Sequence, residues 1–495
     1  MKTIKYLFLS AVLIGFTACN EDDYDYTPDP EPLPALTNGS ADFSKYVAVG
    51  ASFSAGFTDN ALFIAGQQNS FPNMLSQQFA LVGGGSFSQP LMSDNIGGFL
   101  VNGTVAANPR LYFNGTGPVI LPATPTTEIT THLSGSFNNY GIPGLKSFHM
   151  VVPGYGSLNP YFGRMASSAT ATVLADAVAQ NPTFFSLSEI GGNDVLSYAT
   201  SGGTGVYQLG NLNPATYASN DITDPNVFAA SFSAAVDALT ANGAKGVVSN
   251  VPYITSLAYF TTVPYNPVPL DQATADQLNA AFAAYNGGLD YVLSLGVVPN
   301  FTQEEVDKRK VNFVAGQNAV LILDEDLTDL TGLNPALTNM RQTTPDDLLV
   351  LTSASFIGTT VGGNPMMING VSVPLGDQWV LTPEEQTNVK NATDAYNQTI
   401  EAVANSKGLA LVDFKSILIQ AATTGYPDGD FIFNTSLVRG GLCSLDGVHL
   451  TARGYAAMAN AMLKAIDATY GSNFNESGNL VNSGAYPTNY PPTLQ

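Results

Sequence analysis

Imidazole chemistry in this chain must use one of three histidines, His132, His149 and His449. His449 alone has an acidic residue within three positions, in Asp446-Gly447-Val448-His449. A carboxylate placed there can turn toward the ring and fix its tautomer, which leaves the other ring nitrogen free to take a proton from a serine hydroxyl. Taken alone, the run reads equally well as a surface loop with an incidental histidine. His132 and His149 lie in or just after Thr-, Ser- and Gly-rich sequence; they read as structural or, at most, substrate-facing.

A base needs a nucleophile, and Ser52 is the candidate. It follows the apolar run Lys45-Tyr-Val-Ala-Val-Gly-Ala and leads into Phe53-Ser54-Ala55-Gly56. A serine where a strand meets a tight turn of small residues can be presented at the sheet edge, with its own N–H aimed at a developing oxyanion. Ser54 is the nearest competitor and is offset by two positions, deeper in the turn. Two further turns could donate to the same oxyanion. Gly144, in Asn139-Tyr-Gly-Ile-Pro-Gly144, would expose a backbone N–H, and Asn193, in Gly191-Gly-Asn-Asp194, a side-chain amide. Each is also an ordinary Asn/Gly turn, the second well suited to capping a helix.

These segments need elements to hold them. The pattern predicts a strand before Ser52, a helix including Phe71 to Phe79, a helix at 171–180 and a buried strand at 183–190. A helix at 226–242, a strand at 245–250 and a helix at 272–295 follow. A helix at 383–407 stopped by Gly408, a strand at 409–413 and a closing helix at 452–470 complete the series. Alternating strands and helices imply an α/β fold, a doubly wound parallel sheet between helical layers, with its site beyond the C-terminal strand ends. Residues 81–138 read as an insertion of loops and hairpins, residues 298–383 as a second insertion or lid-like subdomain, and 471–495 as an irregular tail.

In order and placement, Ser52, Gly144, Asn193 and the Asp446/His449 pair resemble the four blocks of the SGNH hydrolases, the GDSL-type esterases and lipases. Phe53-Ser-Ala-Gly56 and Asp446-Gly-Val-His-Leu-Thr-Ala-Arg-Gly-Tyr455 resemble the flanks of the first and last blocks. The resemblance spans about residues 44 to 470, apart from the insertions. It implies Ser52, Asp446 and His449 as catalytic residues, and Ser52 N–H, Gly144 N–H and the Asn193 amide as oxyanion donors. It implies an acyl-enzyme mechanism with no metal or organic cofactor. One position departs from the pattern: Ala51 stands where the family carries the Asp of Gly-Asp-Ser, so the nucleophile turn must be braced differently. The expected activity is carboxylesterase- or lipase-like ester hydrolysis. Tyr253, Tyr259, Phe260 and Phe356 are candidates to line an acyl site, each reading equally as local core. A glycan O-deacetylase of the same fold and a surface binding module reusing the scaffold are the alternatives. The substrate partner is accordingly a small-molecule, glycan or lipid ester, and oligomeric state is left open.

Composition narrows the partners. Of 495 residues 45% are hydrophobic and 11% charged, which allows a large core. The formal charge of −22, from 17 basic and 39 acidic residues, argues against nucleic acid and against electrostatic binding to an anionic membrane. Residues 1–18 read as a signal peptide, with Lys2 and Lys5 before an apolar run too short to span a bilayer. Phe16-Thr-Ala-Cys19 resembles a lipobox with Cys19 as the acylated residue. That leaves Cys443 without a disulfide partner and predicts an exported, outer-membrane lipoprotein. Asn20-Glu-Asp-Asp23 resembles a surface-export signal and reads equally as a solvated linker. Residues 19–43 form an acidic, Pro-rich tether to a hydrolase domain over 44–470.

Overall fold

The computed structural model describes residues 32–495; the signal peptide, Cys19, the acidic run and most of the tether lie outside them. Five strands form the central sheet: β1 (Tyr46–Gly50), β2 (Asn139–Gly141), β3 (Phe184–Leu187), β4 (Lys245–Ser249) and β5 (Ala410–Val412). All neighbours are parallel, in the order β2-β1-β3-β4-β5. Every residue of β1 and β3 is buried, as expected of parallel strands covered on both faces. Strand order reverses between β1 and β3, the place where open α/β sheets bind ligands beyond their strand ends.

Eight helices matter for the site and its support: α1 (Phe71–Ala80), α2 (Val173–Ala179), α3 (Gly192–Thr200), α4 (Pro225–Thr240), α5 (Gln272–Leu295), α6 (Pro383–Lys407), α7 (Phe414–Thr423) and α8 (Ala452–Tyr470). One face of the sheet is closed by α1 and α8, whose Phe79 and Tyr470 rings meet Phe184 edge-on at 5.5 and 5.9 Å. On the other, α4 and α6 pack on each other, and α6 lies on β4 and β5. Local chemistry sets the ends. Thr451 caps α8 by accepting from Gly454 N–H, and Thr382 with Glu385 forms a capping box on α6.

The 272–295 helix forms as predicted but faces elsewhere. Phe282, Tyr285, Leu289 and Val292 of α5 belong to a second core, running from Val263 to Val380, separate from the core around the sheet. The second unit of packing thus begins well before residue 298, because an apolar stripe reveals that a helix is amphipathic and not which core it faces. Residues 81–138 carry two hairpins, Phe99–Val101 with Thr104–Ala107 and Leu111–Phe113 with Pro118–Ile120. The compact unit starts at Leu36: Ala41 and Phe43, within the expected tether, are core residues. The C-terminal segment is irregular yet packed, with Phe474, Val481 and Tyr490 buried.

Candidate active site

Ser52 opens a single helical turn, Ser52–Ala55, directly after β1. The turn closes on itself through Ala55 N–H to Ala51 O, Gly56 N–H to Phe53 O and Phe57 N–H to Ser52 O. Ser52 is nearly buried, at 8% exposure, yet lines a cavity at the sheet edge. Its Oγ lies 3.0 Å from His449 Nε2, and His449 Nδ1 lies 2.9 Å from Asp446 Oδ2. The ring is held between Phe53 and Phe57, with centroids at 5.5 and 4.6 Å. This juxtaposition fits a serine hydroxyl poised to give its proton to an imidazole whose tautomer a carboxylate fixes.

The Asp446–His449 loop is rigid for identifiable reasons. Asp446 Oδ1 accepts the N–H groups of Val448 and His449, both at 2.8 Å, and Oδ2 also accepts Asn60 N–H at 2.8 Å. Burial alone would raise this carboxyl; the neighbouring imidazole and the N–H donors outweigh it and hold Asp446 far below the usual carboxylate range. Gly447 O accepts Tyr259 N–H, and Ser444 N–H donates to His449 O. The flanking residues work too. Thr451 Oγ1 donates to Gly441 O at 2.6 Å, and Tyr455 Oη donates to Phe57 O at 2.6 Å, tying α8 to the Ser52 turn.

The other two blocks converge on the same turn. Asn139 Nδ2 donates to Ser54 O at 2.8 Å, and Ile142 N–H to Gly50 O at 3.0 Å, fixing the segment that leads to Gly144. Gly144 is exposed with φ +80°, a left-handed conformation that favours glycine. The Asn193 amide donates to Leu145 O at 3.1 Å, so Asn193 sits against the Gly144 turn and keeps a second N–H for a ligand. Beneath it Asp194, fully buried, accepts the Ser147 N–H and hydroxyl at 2.9 and 2.7 Å and locks the two loops together. Ser52 and Asn193 line the same cavity, and Gly144 stands on the turn that Asn193 contacts.

Sequence reasoning missed the brace of the nucleophile turn. Glu189, at the end of β3, has φ +56° and swings its carboxyl under Ser52. Its Oε1 accepts Ala51 N–H at 2.5 Å and Ser54 N–H at 2.8 Å. A methyl on Gly50 would overlap both Ser54 Oγ and Glu189 Oε1. Burial pushes the Glu189 carboxyl up to about 8, against the lowering effect of those bonds. The turn at Ala51 is therefore braced by a carboxyl from the segment that follows β3. The available signal was a lone acidic residue closing an apolar strand two positions before Gly191-Gly192-Asn193. Asp59 was missed for a similar reason. With Asn60 it forms a left-handed pair, accepts Leu445 N–H at 3.1 Å, and is pushed up to about 7 by burial.

The remaining candidates sit elsewhere. His132 Nε2 lies 2.9 Å from Ala166 O. His149 stacks on Tyr155 at 4.5 Å, accepts Lys146 N–H, and is pushed down to about 4 by burial and by Lys146. Ser54 Oγ is buried in the turn interior. Of the four aromatics, Phe260 is core, Phe356 stacks on Trp379 at 4.5 Å, Tyr253 bonds Asp394 and Tyr259 bonds Thr200 O; none lines the cavity beside Ser52. Cys443 is buried with its thiol pushed up to about 12 by burial. Among the described residues one acidic group, Glu325, Asp377 and Glu385, has oxygens within 4.8 Å of one another; none of the three lines that cavity. No described helix is long and apolar enough to cross a membrane. Searches of family models, curated proteins and solved structures find no match to this chain.

Proposed function

We propose that the protein is a serine ester hydrolase of the SGNH type, working through an acyl-enzyme on Ser52. The observation that carries the reading is the chain of contacts from Ser52 Oγ to His449 Nε2 at 3.0 Å and from His449 Nδ1 to Asp446 Oδ2 at 2.9 Å. In this mechanism the Ser52 proton passes to His449 Nε2 as Oγ bonds to the ester carbonyl carbon. The carbonyl oxygen becomes an oxyanion held by Ser52 N–H, Gly144 N–H and the Asn193 amide. Collapse breaks the bond to the alcohol, which leaves with the proton from His449. Water then gives its proton to His449 and attacks the acyl group, and Ser52 is regenerated with release of the acid. None of these steps draws on a metal or organic cofactor.

Consistent with the reading, the site stands beyond the C-terminal ends of β1, β2 and β3 at the strand-order reversal. We propose also that the protein is exported and anchored through an acylated Cys19. Replacing Ser52 by Ala is expected to abolish hydrolysis of p-nitrophenyl butyrate and labelling by a fluorophosphonate. Unchanged turnover or labelling in the folded variant would refute the assignment. Failure of folded wild-type protein to react would favour a binding role for the scaffold.

A further inference from the structure

The cavity that opens on Ser52 has a volume of about 110 Å³. Close-packed interiors leave few voids larger than a water molecule, whereas ligand sites usually have apolar walls and a few polar groups. Its walls are of that kind. Phe414, Ile417 and Leu418 of α7 face Ala457, Met458 and Ala461 of α8. The α8 wall has a simple origin. Gly454, Ala457, Met458 and Ala461 recur at helical spacing on one face, and three of the four are small. At three of its four wall positions α8 thus carries little or no side-chain volume, which leaves room beside it.

The polar residues on the lining are as telling. Asn250 is already engaged, donating to Asp413 at 2.6 Å and accepting Lys415 N–H at 2.9 Å. Glu189 Oε1 is occupied by the Ser52 turn. That leaves Ser52, Asn193, the Tyr426 hydroxyl and Glu189 Oε2 as polar groups in an otherwise apolar lining. A sugar in this cavity would lose water from most of its hydroxyls without gaining partners, which is costly, and an acetyl group would not reach along the α8 wall.

We infer that the cavity is an acyl-binding site and that the preferred substrates are esters of medium-length, unbranched fatty acids. The inference deepens the ester-hydrolase reading and rests on it for the chemistry. At ~1.5 Å rise per residue, the α8 wall from Gly454 to Ala461 runs for about 10 Å, the reach of about eight extended carbons. Each methylene that enters is expected to raise kcat/KM about fourfold, the factor equivalent to ~0.8 kcal/mol per buried CH2. The gain stops when the cavity is full.

The test is a series of p-nitrophenyl esters from acetate to palmitate, run on wild type, A461F and the milder A457L. Equilibrium binding of decanoate to S52A runs beside it. The expected result is kcat/KM rising from acetate to about octanoate or decanoate, decanoate binding to S52A, and an octanoate-to-acetate ratio reduced at least tenfold in A461F. Fluorophosphonate labelling of Ser52 with a flat or acetate-favouring profile would overturn the acyl-site inference and leave the hydrolase reading standing. Decanoate binding without labelling or turnover would do the reverse. Absence of both would remove both. If A461F does not fold, the wild-type profile and A457L decide.

Discussion

The buried carboxyl of Glu189 gives the sharpest prediction, because two substitutions there must part company. Glu189→Ala strands the N–H groups of Ala51 and Ser54, which are 1% and 0% exposed. At about 1–3 kcal/mol for each buried donor left unpaired, the loss should be about 2–6 kcal/mol. The nucleophile turn loosens with it, so kcat should fall at least tenfold in whatever protein folds. Glu189→Gln keeps an acceptor oxygen for both N–H groups. Its difference from wild type is then one of proton linkage. The carboxyl titrates at about 8 in the fold, against an ordinary value of 4.5. Between those pH values the folded state binds more protons than the unfolded one. Stability from this group is thus complete below 4.5, declines as pH rises, and is gone above 8, at about 1 kcal/mol per pH unit. Urea unfolding at pH 5, 7 and 9 should show the Glu189→Gln variant roughly matching wild type at pH 5 and exceeding it by several kcal/mol at pH 9. Parallel curves at all three values would mean that the carboxyl is not held neutral in the fold. A wild-type-like Glu189→Ala would mean that it is no brace.

Other outcomes can be checked separately. Asn193→Ala should lower kcat for a short ester by about 10²-fold, with fluorophosphonate labelling slowed in parallel, as loss of one oxyanion donor does; thermal melts separate this from misfolding. At the start of α6, burial first and then neighbouring carboxylates push Glu385 up to about 8, and burial pushes Asp377 to about 7. Both retain protons that the unfolded chain has released above its ordinary range, so Glu385→Gln should flatten part of the stability decline between pH 5 and 8 in the same urea assay. Cys19→Ser should shift the protein from the membrane fraction to the soluble one and abolish labelling by radioactive palmitate.

Much of this architecture was legible in the chain, and what was not follows a pattern. The buried strands announce themselves as short apolar runs between turns, and α8 runs over Ala452–Tyr470 because Thr451 caps it and Gly471 ends it. His449 could be named as a base because the chain has three histidines, and Ser52 as its partner only because four short segments agree in order with the SGNH pattern they resemble. Glu189 could not be assigned so: its role depends on the β1–β3 register, which brings Val49 opposite Leu187. A second unit was expected at 298–383, but that the 272–295 helix belongs to its core was not, because an amphipathic stripe does not say which core it faces. The cavity escaped because its walls come from separate segments, around 250–257, 414–426, 442–450 and 454–461, each of which reads as ordinary core. Empty space has no residue to represent it.

The contact between Ser52 and His449 spans 397 positions of sequence. The nucleophile leaves the ribosome on the first strand of the sheet, and its partner comes just ahead of the last helix. No fragment lacking either end of the domain holds both, so a nascent, truncated or clipped chain carries a serine with nothing to deprotonate it. Under the proposed reading, ester turnover therefore reports that the stretch from Ser52 to His449 has been made and folded together.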